Sequence, residues 1–365
     1  ARPADALALA RRAFALHLEI WDQELFQSDP GVHVFSELLG LIHGGQLAEA
    51  EQLATNIYGI AVEAQRGLPM AMIALQLGLV NTERGRPRTA LTWLWRSVDL
   101  YERHGPVQRK RFAVAGMVQA ASLVGDITTA RQAEAALDAD TGNALGFTKA
   151  AELVARSWLA SADGHPKDAQ ALLDDAYALG VDVGERSGAV TALHSMARQG
   201  RADLAADRAA AMRPDVQGDL LAARLDHVTG LVAGDADGLG DVAQRFVAMG
   251  ATLYAAEAMA DASRARQRAG SSREARLLAN HARALAAECE GAVTPALVVA
   301  DEAVPLSKRE REVAMLAAQG LPTKEIATRL YLSPRTVENH LQRAYEKLGT
   351  SGRADLKVAL GLAGE

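Results

Sequence analysis

Cysteine, aromatic residues and long apolar segments are all scarce in this chain of 365 residues. The single cysteine, Cys289, excludes an intrachain disulfide, and no spacing of Cys and His is typical of a zinc site. Aromatic residues make up 4% of the sequence, which together with abundant alanine favours closely packed helices over a β-sandwich. Helical spacing around Cys289 predicts a buried small hydrophobic residue, and a redox switch is the alternative.

Segments that would indicate secretion, a membrane or catalysis are also missing. No apolar run approaches the ~18 residues of a membrane-spanning helix and no signal peptide is found, so we expect a cytoplasmic chain without a membrane partner. The nine histidines include no H-E-x-x-H motif, and there is no nucleophile elbow or G-x4-G-K-[ST] loop. We therefore expect no enzyme, no metal and no cofactor.

The net charge of −6 argues against a general polyanion binder, but the charge is uneven. From Pro305 onward ten Lys and Arg stand against seven Asp and Glu, a balance of +3 that leaves about −9 on the rest. A basic end on an acidic body predicts local attraction to phosphate.

A repeat dominates the chain before that basic end. Seven glycines lie 34 to 40 residues apart, and five residues after each comes an alanine, or leucine in one case: Gly45, Gly85, Gly125, Gly164, Gly200, Gly234 and Gly270, followed by Ala50, Ala90, Ala130, Ala169, Ala205, Leu239 and Ala275. Such a glycine ends a helix at positive φ, and the small residue lets the returning helix cross closely.

The repeat predicts an α-solenoid of about seven helical hairpins across 31–290, within an array domain of 1–290. Its period resembles tetratricopeptide-type repeats, although their large aromatics and closing proline are mostly missing. An irregular helical bundle is the alternative. Residues 291–304 lose the helical pattern next to prolines and predict a linker.

Residues 305–365 show the pattern of a helix-turn-helix. Ser307 and Glu310 form a capping box, Gly320 suits a helix end, and Thr323 is a second N-cap candidate. Ser333 caps a further helix that has Pro334 at its first position. Val337, Leu341, Ala344 and Leu348 form one apolar stripe on this helix, and polar side chains occupy the opposite face.

Many positions of this segment resemble the LuxR-type helix-turn-helix domain in order and spacing. They are residues 306–313, Gly320, residues 324–327, Leu330, Ser333, Thr336, Val337, His340, Leu341, residues 347–349 and Arg353. Ser307 departs slightly from the family, which often has Thr there. The resemblance covers about a sixth of the chain and implies an all-α protein: a tetratricopeptide-like solenoid followed by a four-helix DNA-binding domain.

The resemblance implies that the helix after Ser333 contacts double-stranded DNA in the major groove. The side chains expected at base edges are Arg335, Glu338, Asn339 and Gln342. Those expected at phosphates are Thr323, Lys324, Ser333, Thr336, His340, Arg343 and Lys347. For Arg343 and Lys347, a merely solvated helix face is the alternative.

The fourth helix of such domains pairs with its twin in a DNA-bound dimer, so the resemblance implies a homodimer through Leu356 and Leu360. The alternative is a helix that closes the small core, and both roles are compatible. A domain of only +3 would bind DNA weakly as a monomer, which favours dimerisation on two half-sites.

The array is expected to bind an effector or a protein partner, because solenoids present long curved surfaces. Its Trp93, Trp95, Tyr101 and Trp158 are candidates for an aromatic site, with core packing as the alternative. An array followed by this domain resembles the large ATP-binding LuxR-family bacterial regulators. By that resemblance we expect an ATP-binding domain upstream if this chain, which begins with Ala1, is a fragment, and a reduced member of the class is the alternative.

Two functions remain open. The first is a sequence-specific transcription regulator whose array senses an effector or partner. The second is an interaction adaptor that uses the C-terminal domain as a weak DNA tether. The polar face of the helix after Ser333 favours the first, since an adaptor does not need one.

Overall fold

A computed structural model of the chain describes residues 2–21, 31–105, 107–140, 146–300, 306–348, 350, 352–360 and 362. These residues form twenty α-helices, one short 3₁₀ helix at Arg213–Asp215 and no strand. Helix α1 (Pro3–Trp21) precedes the repeats. The all-α class and the solenoid are confirmed.

Seven antiparallel hairpins follow α1. They are α2 (Gly31–Gly44) with α3 (Leu47–Glu63), α4 (Gly67–Glu83) with α5 (Pro87–His104), α6 (Val107–Leu123) with α7 (Ile127–Ala139), α8 (Gly146–Ala162) with α9 (Pro166–Asp182), α10 (Arg186–Arg198) with α11 (Ala202–Met212), α12 (Asp219–Ala233) with α13 (Ala236–Met249), and α14 (Thr252–Arg268) with α15 (Ser272–Ala287). The number of hairpins agrees with the prediction.

The glycine and alanine repeat has the predicted geometry. All seven repeat glycines have positive φ, between +63° and +87°. The alanines five residues later, and Leu239 in the sixth hairpin, are at most 3% exposed. A β-carbon would be strained at each turn, and in the six hairpins with alanine a larger side chain would crowd the crossing helices.

The array curves until its first hairpins contact its last. One apolar cluster joins Leu38 and Leu41 of α2 to Leu220 of α12 and Tyr254 of α14. Across another contact, the Glu290 carboxylate accepts hydrogen bonds from the Thr89 amide (2.9 Å) and hydroxyl (2.5 Å). The inner helices are consequently buried on more than one side, unlike amphipathic surface helices.

The first part of the segment predicted as linker has regular structure. It contains a helix, α16 (Pro295–Ala300), that packs on α14 and α15. The Val293 amide donates to the Leu123 carbonyl (2.7 Å), and Thr294 is buried. This stretch therefore packs on the closed array. The remaining linker residues, 301–304, lie outside the described residues.

The aromatic candidates pack in different places: Trp93, Trp158 and Tyr101 belong to three separate apolar clusters. Trp158 is buried and lies under the Arg198 guanidinium, 4.5 Å from the ring centre, whereas Trp95 is 52% exposed. Trp93 packs edge-on against Tyr58. Trp158 and Trp93 therefore contribute to core packing, which was the alternative to an aromatic binding site.

Cys289 is buried, as predicted. Its thiol donates to the Leu285 carbonyl, and burial raises its pKa to about 12. The thiolate is therefore scarce at neutral pH, which disfavours a redox role.

The C-terminal domain has four helices: α17 (Lys308–Ala318), α18 (Thr323–Arg329), α19 (Pro334–Leu348) and α20 (Arg353–Ala359). Its core is separate from the clusters of the array. Within the described part of the chain, no helix combines the length and apolar character needed to cross a membrane.

Candidate nucleic-acid interface

The start of α17 is fixed by the capping box. The Glu310 amide donates to Ser307 Oγ (3.3 Å), and the Ser307 amide donates to Glu310 Oε2 (2.8 Å). Gly320 ends the helix with φ +90°. Both features agree with the sequence prediction, and they set where the chain turns into α18.

Helix α19 lies on this scaffold through its apolar stripe. Val337, Leu341, Ala344 and Leu348 are at most 6% exposed. They pack with Val313 and Ala317 of α17 and with Ile326 and Ala327 of α18. The opposite face of α19 is thereby directed outward, because residues on one helix face repeat every three or four positions.

The outward face carries the side chains predicted at base edges. Arg335, Glu338, Asn339 and Gln342 are all exposed. Among the described residues, Arg335, Glu338 and Asn339 form no side-chain hydrogen bond or ion pair. These groups can accordingly form hydrogen bonds with a partner outside the domain.

The first turn of α19 is capped by Ser333, as predicted. The Thr336 amide donates to Ser333 Oγ (3.1 Å), and the two hydroxyl oxygens lie 2.7 Å apart. Lys324 and Arg343 are exposed, and His340 is half-buried. The exposed cations flank the outward face, where a DNA backbone would lie if α19 entered the groove.

Lys347 has a partner inside the domain. Its amine donates to Glu310 Oε2 (2.7 Å), which joins the end of α19 to the start of α17. The Lys347 ammonium and the Ser307 amide outweigh burial and lower the pKa of Glu310 to about 2. The contact of Lys347 with phosphate remains a prediction, and the amine already stabilises the helix arrangement.

Thr323 does not cap α18, so that prediction is wrong. The helix begins at Thr323 itself, and Pro322 is the capping position without a side-chain hydrogen bond. The Thr323 hydroxyl accepts instead from Arg353 Nη2 (2.6 Å), while Arg353 Nη1 donates to the Leu321 carbonyl (2.7 Å). Arg353 therefore joins α20 to the turn before α18, a role that its position in the sequence motif did not reveal.

The family model of the bacterial regulatory proteins, luxR family, matches residues 304–360. Over 60 residues the chain is 50% identical to the spore germination protein GerE of Bacillus subtilis and spans 81% of that protein. The chain belongs to the luxR family. Its four C-terminal helices are thus the DNA-binding helix-turn-helix domain of a transcription regulator.

Other luxR-type relatives match over the same domain only. The chain is 54% identical over 52 residues to the transcriptional regulatory protein UhpA of Escherichia coli K12, and spans 26% of it. It is 49% identical over 51 residues to an HTH-type transcriptional regulator of Mycobacterium tuberculosis H37Rv, and spans 6% of that protein. The shared part is therefore the DNA-binding domain.

The array of this luxR-family chain is similar to a solved structure of a Rap protein, described as complexed with competence and sporulation factor. The TM-score is 0.50 at 14% sequence identity, over 79% of this chain and 98% of the Rap chain. At this identity the likeness concerns the fold alone.

Helix α20 closes the core of the luxR-type domain. Leu356 is fully buried among α17 and α19 residues, and Leu360 is half-buried against the same cluster. The structure thus shows Leu356 in the core of the domain, which was the alternative role predicted for this helix. Dimerisation through Leu356 and Leu360 remains a prediction, and Leu356 would have to leave the core to take part.

One exposed residue of the interface was missed by sequence reasoning. Tyr331, in the turn between α18 and α19, is 95% exposed and has φ +54°. A large aromatic residue in the left-handed region is unusual and is a signal for a constrained turn. Tyr331 lies two residues before Ser333, the cap of α19.

Proposed function

We propose that this luxR-family chain is a sequence-specific transcription regulator that binds the major groove as a homodimer through α19. The observation that carries the proposal is the outward face of α19. It presents Arg335, Glu338 and Asn339 with no partner among the described residues, opposite a fully packed apolar stripe. Unpaired donors and acceptors on a rigid helix match the edges of base pairs.

The proposal divides the interface into two parts. Arg335, Glu338, Asn339 and Gln342 contact bases, and each good pair contributes roughly 1–3 kcal/mol of discrimination. Phosphate contacts come from Lys324 and Arg343 and, as predicted from sequence, from Thr323, Ser333, Thr336, His340 and Lys347. These contacts position the helix without selecting a sequence.

A pair of substitutions tests this division. Asn339→Ala should flatten base preference at one position per half-site, because its amide can no longer pair with a base edge. Lys324→Ala should weaken binding to all sequences alike and reduce the salt slope by about one unit. Lys357→Ala on α20 removes the same charge away from α19 and should do neither.

Affinities for a set of single-base variants, measured at several salt concentrations, separate these outcomes. Equal loss of base preference in Asn339→Ala and Lys324→Ala would contradict the division. If Lys357→Ala reduced the salt slope as much as Lys324→Ala does, net charge alone would govern binding.

The proposed role of the array is to sense an effector or protein partner. Its support is the closed, curved solenoid, together with the likeness to a Rap protein that was solved in complex with a factor. Occupation of the array should then change DNA affinity. As part of this proposal, we expect that the chain acts in the cytoplasm, holds no cofactor of its own and is not an enzyme.

A further inference from the structure

The first helices of the first five hairpins line a half-open cavity of about 950 Å³. Helices α2, α4, α6 and α8 form its wall, the start of α10 contributes one side, and the first turn of α1 lies over it. The volume is at the upper end of the roughly 300–1,000 Å³ usual for small-molecule sites. The curvature of the solenoid therefore creates a site of ligand size.

Most of the wall is apolar, and three further charged residues that line it have partners of their own. Arg2 pairs with Asp5, Arg186 pairs with Asp215, and the Glu185 carboxylate accepts from the Gly188 amide (2.7 Å). Phe35 and Leu39 of α2, Leu79 of α4, Phe112 of α6 and Val154 of α8 all line the cavity. Such a wall stabilises the apolar body of a ligand by removing it from water.

Two polar groups on the wall have unused hydrogen-bonding capacity. Glu83 Oε2 accepts from the Tyr254 hydroxyl (2.9 Å) and from Arg224. Among the described residues, no hydrogen bond reaches Glu83 Oε1 or the ring of His43, and both residues line the cavity. Both residues are half-buried, so water in the cavity can bind these groups, and a ligand with a hydroxyl or amide group can replace that water.

The charge around these groups is balanced. Arg224 is 2% exposed, donates to the Thr191 hydroxyl (3.0 Å) and pairs with Glu83. Burial opposes the ionisation of Glu83, but Arg224 outweighs it and the pKa of Glu83 is lowered. Burial and Arg224 lower the pKa of His43 to about 4, so this ring is neutral at pH 7.

The opposite charges of Glu83 and Arg224 disfavour a charged ligand. An ammonium group at Glu83 would lie near the buried Arg224 guanidinium, and a carboxylate would face the Glu83 carboxylate. Either charge would also lose its hydration on entering the apolar cavity. An uncharged donor, in contrast, can bind Glu83 Oε1 while the neutral His43 ring serves as donor or acceptor.

We propose that this cavity binds a small uncharged organic ligand with an apolar body and a hydroxyl or amide group held by Glu83 and His43. The inference deepens the proposed sensing function and rests on it. Because Glu83 is also bonded to Tyr254 of α14 and Arg224 of α12, the ligand contacts the point where the two ends of the array meet.

Three naphthalene probes with one body and different ends test the ligand class. They are 2-(2-naphthyl)ethanol, 2-naphthylacetate and 2-(2-naphthyl)ethylamine, and their dissociation constants for the intact chain are measured by ligand-observed NMR at pH 7. The alcohol should bind about tenfold tighter than either charged probe, a difference of about 1.4 kcal/mol.

Matched variants locate the site. Ala151→Phe fills the cavity from α8 and should abolish binding of the alcohol, whereas Ala162→Phe, at an exposed position of the same helix, should leave it unchanged. His43→Phe keeps a ring of similar size and should weaken the alcohol about fivefold, because the ring can no longer form a hydrogen bond.

Each other outcome overturns the inference. Charged probes that bind as tightly as the alcohol contradict the ligand class, alcohol binding that survives Ala151→Phe contradicts the site, and binding of none of the three contradicts both. DNA affinity with and without the alcohol is a separate measurement. Cavity binding without any change in DNA affinity would refute the sensing role and leave the ligand site intact.

Discussion

The substitution Glu310→Gln probes the contact on which the position of α19 depends. The Glu310 side chain is 6% exposed, and its Oε2 atom accepts from the Ser307 amide and from the Lys347 amine. Glutamine has nearly the same shape but no charge. The variant therefore removes the ion pair between α17 and α19 while leaving the packing of both helices unchanged.

The pKa of Glu310 sets the size of the effect. A fall from the ordinary 4.5 to about 2 corresponds to an upper limit of about 3 kcal/mol, at about 1.4 kcal/mol per tenfold change in proton affinity. Lys347 is 26% exposed, and solvent weakens the pair. We expect a loss of about 1–2 kcal/mol in the local stability of the domain.

Amide hydrogen exchange of the intact chain measures this loss. Peptides from α17 and α19 should exchange about 5- to 30-fold faster in Glu310→Gln, and peptides from the array should not change. The control is Glu312→Gln, whose carboxylate forms an exposed pair with Arg309 and should contribute less than about 0.5 kcal/mol. Equal effects of the two variants, or none for Glu310→Gln, would refute the reasoning.

The same contact predicts a pH dependence. Since the pKa of Glu310 is lower in the folded domain than in the unfolded chain, its contribution is complete above about pH 4.5 and is lost as the pH falls toward about 2. The difference between the wild-type chain and Glu310→Gln should shrink over that interval. A constant difference from pH 6 to pH 2.5 would show that charge is not its cause.

Two further predictions concern backbone and scaffold. Gly125→Ala should lower the free energy of unfolding by about 1–2 kcal/mol, because φ is +73° although a β-carbon would meet no atom there. Gly240→Ala, inside α13 in equally open space, should raise it by up to about 1 kcal/mol, and urea unfolding distinguishes the two signs. Arg353→Met should speed amide exchange of α18 about tenfold, because it loses the hydrogen bonds to the Leu321 carbonyl and to Thr323 at the start of α18, whereas Lys357→Met should not. Exchange of α18 at the wild-type rate in Arg353→Met would contradict the role assigned to Arg353.

Features that depend on neighbouring residues were predictable. The repeat glycines marked the hairpin turns because positive φ is strained for other residues, and the capping box marked the start of α17 because its partners are three residues apart. The apolar stripe of α19 was predictable for the same reason, from its helical period.

Features that depend on distant residues were not predictable. Glu83 pairs with Arg224, 141 residues later, and Glu290 binds Thr89, 201 residues earlier. No local sequence pattern could therefore indicate that the array closes. The cavity follows from that closure. The failed prediction at Thr323 has the same origin, because its hydroxyl is occupied by Arg353 from another helix.

Selection from random duplex DNA by the intact chain tests the central claim most directly, with the double variant Glu338→Ala/Asn339→Ala run in parallel. We predict that the wild-type chain enriches one two-fold-related motif, and that the double variant retains weak binding but loses base preference within each half-site. Enrichment of no motif by the wild-type chain, or of the same motif by both proteins, would contradict the claim that the outward face of α19 selects the sequence.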